Sequence, residues 1–414
     1  MSFQTGLSGL RASSQNLDVI GNNIANANTA GMKSSRAEFS ALVASALGAA
    51  GSSGAGIGVQ VATVSQQFSQ GNINITGNGL DAAINGGGFF QVQVPDGSLA
   101  YTRDGSFKLD KDGNIMTNSG AKVLGNKIDA LGQPIVGDKP TPLTLPTTAP
   151  IPAKTTTAIA AEFNLDARAV VASSVTPNTP LTTYGTSATA YDGQGLPITV
   201  SLYLTKTATN TWQVWTNDLT TVPPAVPGAP TQLGGDMVFD PLTGKQDATS
   251  TWLSAVPIPM SSANGALTPV PTLDLSKVSQ YGKNFSVSNL TQDGYTSGEF
   301  VGMAIAENGV ITARYSNGET QSAGQIALAE FRNVQGLTPT GGNNWVATYA
   351  SGDPVQGVPG QGKFGGLRAG ALEDSNVDLT GELVNMMVAQ RAYQANAQTV
   401  KTQDQVLSTL VNLR

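Results

Sequence analysis

Near the amino end, Phe3, Leu10, Leu17 and Ile24 stand seven positions apart, with Leu7 and Ile20 close beside them on a helical surface. An apolar residue every seven positions winds one stripe along a helix, so the spacing predicts an amphipathic helix over residues 1–30. The other end repeats the arrangement: Leu379, Met386, Tyr393, Val400 and Leu407 share the spacing, flanked by Leu383, Leu410 and Val411. The stretch Ser375-Asn-Val-Asp378 reads as the start of that helix, with Ser375 placed to cap free amides and Asp378 near the positive end of the helix dipole. Such a helix ordinarily packs on a globular core. Here the two stripes lie at opposite ends of the chain with β-type sequence between them, so they are expected to pair with each other in coiled-coil fashion. A lone pair of helices buries little surface for the backbone it orders, and the same pair in neighbouring copies would supply more.

The pattern changes between the helices. Residues 31–70 are rich in Gly, Ala, Ser and Gln and read as a linker with a short extended stretch at Val59–Val64. Beyond it, Phe90, Val92 and Val94 alternate ahead of Pro95-Asp96-Gly97, and the chain returns through Leu99 and Tyr101 as a hairpin. Phe107 and Leu109 lead into Asp110-Lys111-Asp112-Gly113-Asn114 and emerge at Ile115 as a second hairpin. The same style resumes after Gly294, with turns at Asn308-Gly309 and Asn317-Gly318. Residues 71–147 and 290–360 are therefore expected to form one inner β domain. It is interrupted by an outer β domain at 148–289, which carries strands at Ile198–Leu204 and Trp212–Trp215 and a loop at Pro223–Pro230. Residues 361–414 return through a linker into the second helix. The fold class expected is multidomain α+β: paired terminal helices and two nested, mainly antiparallel β domains.

Composition narrows the function. Charged residues make up 12% of the 414 positions, the formal net charge is -6, and no basic stripe exists to neutralise phosphates, so neither nucleic acid nor an anionic membrane is an expected partner. Cys and His are both absent. Their absence removes thiolate nucleophiles, Ser-His and Cys-His pairs and imidazole metal ligands, and the expectation is a protein that is not an enzyme. Arg11 is the first basic residue and polar positions interrupt the segment around it, so no cleaved signal peptide is expected.

Two motifs invite chemistry and do not sustain it. Gly360-x-Gly362-x-x-Gly365 and Gly77-x-Gly79-x-x-Ala82 match dinucleotide fingerprints in letters but lack the strand, helix and acidic residue of a βαβ unit. With 48 glycines in the chain, chance matches are expected, and no cofactor is assigned. Asp110, Asp112 and Asn114 suggest a calcium loop, yet Ile115 stands where the sharp turn needs Gly and no bidentate Glu comes after it. A hairpin turn is the better reading, and no metal site is expected.

The segment Asn16-Leu-Asp-Val-Ile-Gly-Asn-Asn-Ile-Ala-Asn-Ala-Asn-Thr-Ala-Gly31 resembles the amino-terminal signature of the bacterial flagellar rod and hook proteins, in Asn22, Asn23, Ile24, Ala25 and Asn26 followed by Thr29 and Gly31. The resemblance continues in Gly88-Phe-Phe-Gln-Val92, Tyr101-Thr-Arg-Asp-Gly-Ser-Phe107, Ser375-Asn-Val-Asp-Leu379, Glu382-Leu-Val-Asn-Met386, Gln390-Arg391, Lys401-Thr-Gln-Asp-Gln405 and Leu410-Val-Asn-Leu-Arg414. Met32 departs from it, since the family often has an aromatic residue there. The large insertion favours the hook over the shorter distal rod. The resemblance implies a homo-oligomeric helical tube in the extracellular flagellum, with terminal helices that mediate polymerisation. It also implies export by the flagellar type III apparatus and contact with distal rod, hook cap and hook-filament junction proteins. A distal rod or hook-associated junction protein is the nearest alternative, and a secreted β-rich adhesin is one of a different class.

Overall fold

The computed structural model describes residues 2–43, 56–129, 133–135, 137, 139–146, 150–172, 183–217, 230–252, 256–260 and 270–412. The described residues are mostly β, with two long helices, α1 (Ser2–Ala25) and α2 (Leu379–Asn412), towards the two ends. It divides into two compact units: residues 1–148, 302–314 and 320–414 form the first, and residues 149–301 with 315–319 the second.

In the first unit, α1 and α2 lie side by side and antiparallel. Asn23 Nδ2 donates to Glu382 Oε1 (3.4 Å) near one end, and Asn396 Nδ2 donates to Ser13 Oγ (3.4 Å) further along. A methyl at Gly6 would meet Val400 at 3.1 Å and one at Gly9 would meet Asn396 at 2.9 Å, so small residues let the helices approach closely. The expected closing of the two apolar stripes is seen in part: Met386 and Val400 of the α2 stripe lie towards α1, and the rest of that stripe does not. Towards α1 the second helix turns half-buried Glu382, Met386, Asn396 and Val400 and buried Ala389, while Leu379, Leu383, Tyr393 and Leu407 stand exposed. Small and polar side chains take the space that interlocking leucines would need. The cap is corrected. Asp378 Oδ1 accepts from Thr380 N (3.1 Å), whereas Ser375 Oγ accepts from Val377 N (3.3 Å) ahead of the helix.

The segment expected as a linker carries two strands, β1 (Ser35–Val43) and β2 (Gly56–Gln66), paired antiparallel from Ser35↔Gln66 outward with bulges at Glu38/Phe39 and Leu42/Val43. Val59, Val61 and Val64 supply the β character that small residues nearby dilute. This pair lies on α1: Val59 N donates to Ser8 Oγ (3.3 Å), and a side chain at Gly58 would collide with Ser8.

The main sheet of the first unit runs Val310–Tyr315, Thr320–Ile326, Lys122–Asn126, Phe89–Gln93, Leu99–Thr102, Asn344–Val346 and Thr338–Gly341. Both expected hairpins are present, Phe89–Gln93 with Leu99–Thr102 and Phe107–Leu109 with Ile115–Thr117. Asp110 closes the second turn itself, with Oδ1 accepting from the amides of Asp112 and Asn114 and Oδ2 from the Asn114 side chain. The glycine run at 360–365 leads into the strand Gly366–Ala369 and not into a helix. One core gathers Phe90, Val92, Phe107, Val123, Ile326 and Leu367; a second stacks Phe89, Tyr101, Phe331 and Trp345 edge to face, Tyr101 and Phe331 at 4.7 Å.

Among its described residues the second unit has two sheets. Ala158–Asp166 pairs in parallel with Thr272–Asp274 and Ser279–Tyr281 and antiparallel with Ser286–Gln292. Tyr184–Tyr191, Pro197–Ala208, Thr211–Thr216 and Thr231–Val238 form an antiparallel meander. Alternate residues face one core containing Phe163, Leu202, Trp212, Met237 and Ile258, and Trp212 Nε1 donates to Gln280 Oε1 (3.0 Å) across it. Of the expected loop at Pro223–Pro230, all but Pro230 lies outside the described residues.

Candidate functional site: a polar junction and an outward helix face

Charged side chains are scarce in this chain, yet three meet in the dry interior where the chain leaves one helix and approaches the other. Glu373, fully buried at the end of the strand Ala371–Glu373, receives Lys33 Nζ on Oε1 (2.6 Å) and Arg103 Nη1 on Oε2 (3.1 Å). Gly71 N also donates to Oε1 (2.9 Å). Lys33 Nζ donates to Ser69 O (2.8 Å) and Arg103 Nη2 to Gly86 O (3.0 Å), while the guanidinium lies 5.2 Å from the centre of the Phe89 ring. Burial pulls the Lys33 and Arg103 pKa values below their ordinary range, and the Glu373 carboxylate opposes that fall. Two cations share one carboxylate, so Glu373 is the member whose removal leaves most charge stranded.

Backbone-directed amides surround this centre. Asn23 Nδ2 donates to Ser35 O (2.7 Å) and its Oδ1 accepts from Ser35 N (2.8 Å), so one side chain satisfies both backbone groups of the first residue of β1. Asn376 treats the two segments alike: Oδ1 accepts from Ser34 N (2.7 Å) and Nδ2 donates to Gln67 O (2.7 Å). Asn343 Nδ2 donates to Ala30 O (2.9 Å). Gly31 has φ +70 and its N donates to Glu373 O (2.8 Å); a methyl there would stand 2.5 Å from Asp104 N. Only glycine fits both demands.

The sequence motif therefore divides by task. Asn23 and Gly31 belong to the junction. Asn22 and Asn26 end α1, the Asn26 side chain donating to Asn22 O (2.9 Å), and Thr29 Oγ1 lies 3.5 Å from Asn26 Oδ1. Ala25 is exposed, Ile24 half-buried and Met32 buried. Arg103 and Asn376 fall inside the recognised stretches. Lys33 and Glu373 were missed, since a lone Lys and a lone Glu so far apart carry no local signature. Lys33 comes two positions after the motif, and that proximity is the one signal that could have found it.

The helix residues differ in exposure. On α1, Ile20 is buried, Leu7, Leu10, Leu17 and Ile24 are half-buried and Phe3 is exposed. On α2, Met386 and Val400 are half-buried, and exposed Leu379, Leu383, Tyr393 and Leu407 are joined by Val384, Met387, Val388 and Val406. Leu410 lies on α2 with its side chain outside the described set. No described helix is long and apolar enough to cross a membrane.

Four family profiles match the chain in order. They are a flagella basal body rod protein domain at 3–33, a flagellar hook protein FlgE/F/G D1 domain at 83–162, a flagellar basal body protein FlaE D2 domain at 164–295 and a flagellar basal body rod FlgEFG C-terminal domain at 368–413. Together with paired end helices tied to β sheets, they define the class as a structural component of the flagellar hook and basal body. The whole chain is 42% identical to the whole flagellar hook protein FlgE of Salmonella typhimurium and 41% identical to the whole of that of Escherichia coli. It is 33% identical to that of Rhizobium meliloti over all of this chain and 98% of the relative. The chain belongs to the flagellar hook protein family. Its fold is similar to the crystal structure of Helicobacter pylori flagellar hook protein FlgE2, with a TM-score of 0.54 over 72% of this chain and 100% of that one at 17% identity.

Proposed function

We propose that the chain is a structural, non-catalytic subunit of the bacterial flagellar hook, which polymerises into a flexible helical tube. The tube encloses the export channel and carries motor torque from rod to filament. One observation carries the polymer reading: a series of large apolar side chains along α2, Leu379, Leu383, Val384, Met387, Val388, Val406 and Leu407, is exposed in the single chain. A water-facing surface of that length is satisfied by burial against other copies. Relatives sharing the full length are named as flagellar hook proteins, which supports the position in the flagellum. In this reading the polymerisation helices line the channel. The partners are further copies of the chain, the distal rod, the hook cap, the hook-filament junction proteins and the flagellar type III export apparatus, and the working location is outside the cell. The low-charge, polar β surfaces would let neighbours exchange short-range contacts as the tube bends, without desolvating fixed ion pairs at each turn. The test is electron microscopy of flagellar bases from cells with an in-frame deletion of the gene. Complete rods lacking hooks are expected. Shortened rods would make the chain a rod subunit, and normal hooks would overturn the proposal.

A further inference from the structure

Tyr349 stands entirely in solvent at the tip of a turn, with its ring making no hydrogen bond, stacking contact or ion pair among the described residues. A tyrosine so exposed is common on mobile loops, where it tells nothing. This turn is held on both sides of the tyrosine. Thr348 N donates to Ser351 Oγ (2.9 Å), Ser351 Oγ donates back to Thr348 O (2.8 Å), and Thr348 Oγ1 donates to Gly336 O (2.6 Å) while accepting from Ala350 N (3.1 Å). Asn333 Nδ2 donates to Ala350 O (3.1 Å), and Ser351 is buried despite its place in the turn. Gly336 lets the turn lie flat on the 3-10 helix Val334–Gly336, because a side chain there would meet Ser351 N at 2.4 Å. Below the turn, Ala347 packs into the aromatic cluster of Phe89, Tyr101, Phe331 and Trp345.

The bonds fix the backbone on both sides of Tyr349 and leave only its side chain to be ordered on contact. A large amphipathic side chain with two rotatable bonds on a pre-ordered turn is what a contact hot spot requires, since little entropy remains to be lost when it docks. We propose that Tyr349 is an anchor that inserts into a neighbouring copy of this chain in the assembled tube, a contact separate from the helix faces. The identity of the occupant rests on the hook reading above: in a homopolymer the partner that each copy meets at every lateral and axial contact is another copy of itself.

The absence of Cys makes the test clean. In full-length Tyr349→Cys, a maleimide reagent reacts rapidly in the free subunit and roughly tenfold or more slowly in isolated tubes. Equal rates in the two states overturn the proposal, and so does protection confined to the tube ends, which would point to a cap or junction protein. Tyr349→Ala lowers the share of exported chain found in tubes by roughly tenfold, the effect of losing one hot-spot side chain, and Tyr349→Phe retains most of it. Wild-type assembly of Tyr349→Ala also overturns the proposal. The melting temperature of the free Tyr349→Ala subunit is expected to match wild type. If the gene deletion left hooks intact, the hook reading would fail; if hooks formed but the thiol stayed reactive in them, this inference alone would fail.

Discussion

Replacing Glu373 by Gln keeps the shape of the side chain and removes its charge, leaving Lys33 and Arg103 buried beside a neutral amide. Breaking a buried ion pair from one side costs about 3–5 kcal/mol, and here two cations lose the same partner. Gly31 is the local reporter, since its N–H donates to the Glu373 backbone oxygen and not to the altered group. Native-state amide exchange at Gly31 should accelerate roughly 10²- to 10⁴-fold, the factor that this free energy sets when the junction opens before exchange. Strand amides of the second unit, such as Leu202, serve as the control and should keep their rates. A triple variant, Lys33→Met, Arg103→Met and Glu373→Leu, removes all three charges and should recover most of the protection, because apolar groups of similar volume replace buried ion pairs at little cost. Exchange at Gly31 in Glu373→Gln within about threefold of wild type would refute the reasoning, since the carboxylate would then not be holding the junction.

The same geometry sets other outcomes. Gly31→Ala forces a left-handed residue and a backbone collision together, and should destabilise the first unit by about 2–4 kcal/mol in urea titration. At Asp293, burial pushes the carboxyl up, but hydrogen bonds from Thr157 and Ala158 and the charge of Lys154 outweigh it and bring the pKa down to about 2. The folded value lies below the ordinary 3.8, so the stabilisation is present above about pH 4 and lost as pH falls towards 2. After allowance for solvent screening, Asp293→Asn should cost the second unit about 1 kcal/mol at pH 7 and almost nothing at pH 2, measured by urea unfolding at the two pH values. Leu383→Asp and Leu407→Asp, both exposed on α2, should change subunit melting by less than about 0.5 kcal/mol equivalent yet abolish tubes by electron microscopy; normal tubes would remove these side chains from the assembly surface.

The parts of the molecule governed by near neighbours in sequence were the legible ones. Heptad spacing located both helices, and Pro95-Asp96-Gly97 and Asp110 to Asn114 located turns, because a hairpin needs only its own few residues. Failures came where distant segments decide. Residues 31–70 read as a linker since Gly and Ser mask Val59, Val61 and Val64, yet β2 is made by pairing with β1 and by lying on α1. The periodicity of α2 was visible, but how closely it approaches α1 was not, because that depends on Gly6 and Gly9 admitting Val400 and Asn396. The Asn22 to Gly31 motif pointed at the right place without revealing its centre. Glu373 became recognisable only when folding brought it to Lys33 and Arg103.

The junction also has a mechanical meaning. A force applied to the helix pair enters the β structure through two separate runs of chain, one at 26–34 and the other at 373–378. Gly31, Lys33 and Ser34 of the first run are bonded to Glu373 and Asn376 of the second. Two fibres clamped together share a tension that each would otherwise meet alone, and clamps set side by side must yield together, not one after another. Their failure strength adds up in the way that rivets along a lap joint add, which suits the load-bearing role proposed above.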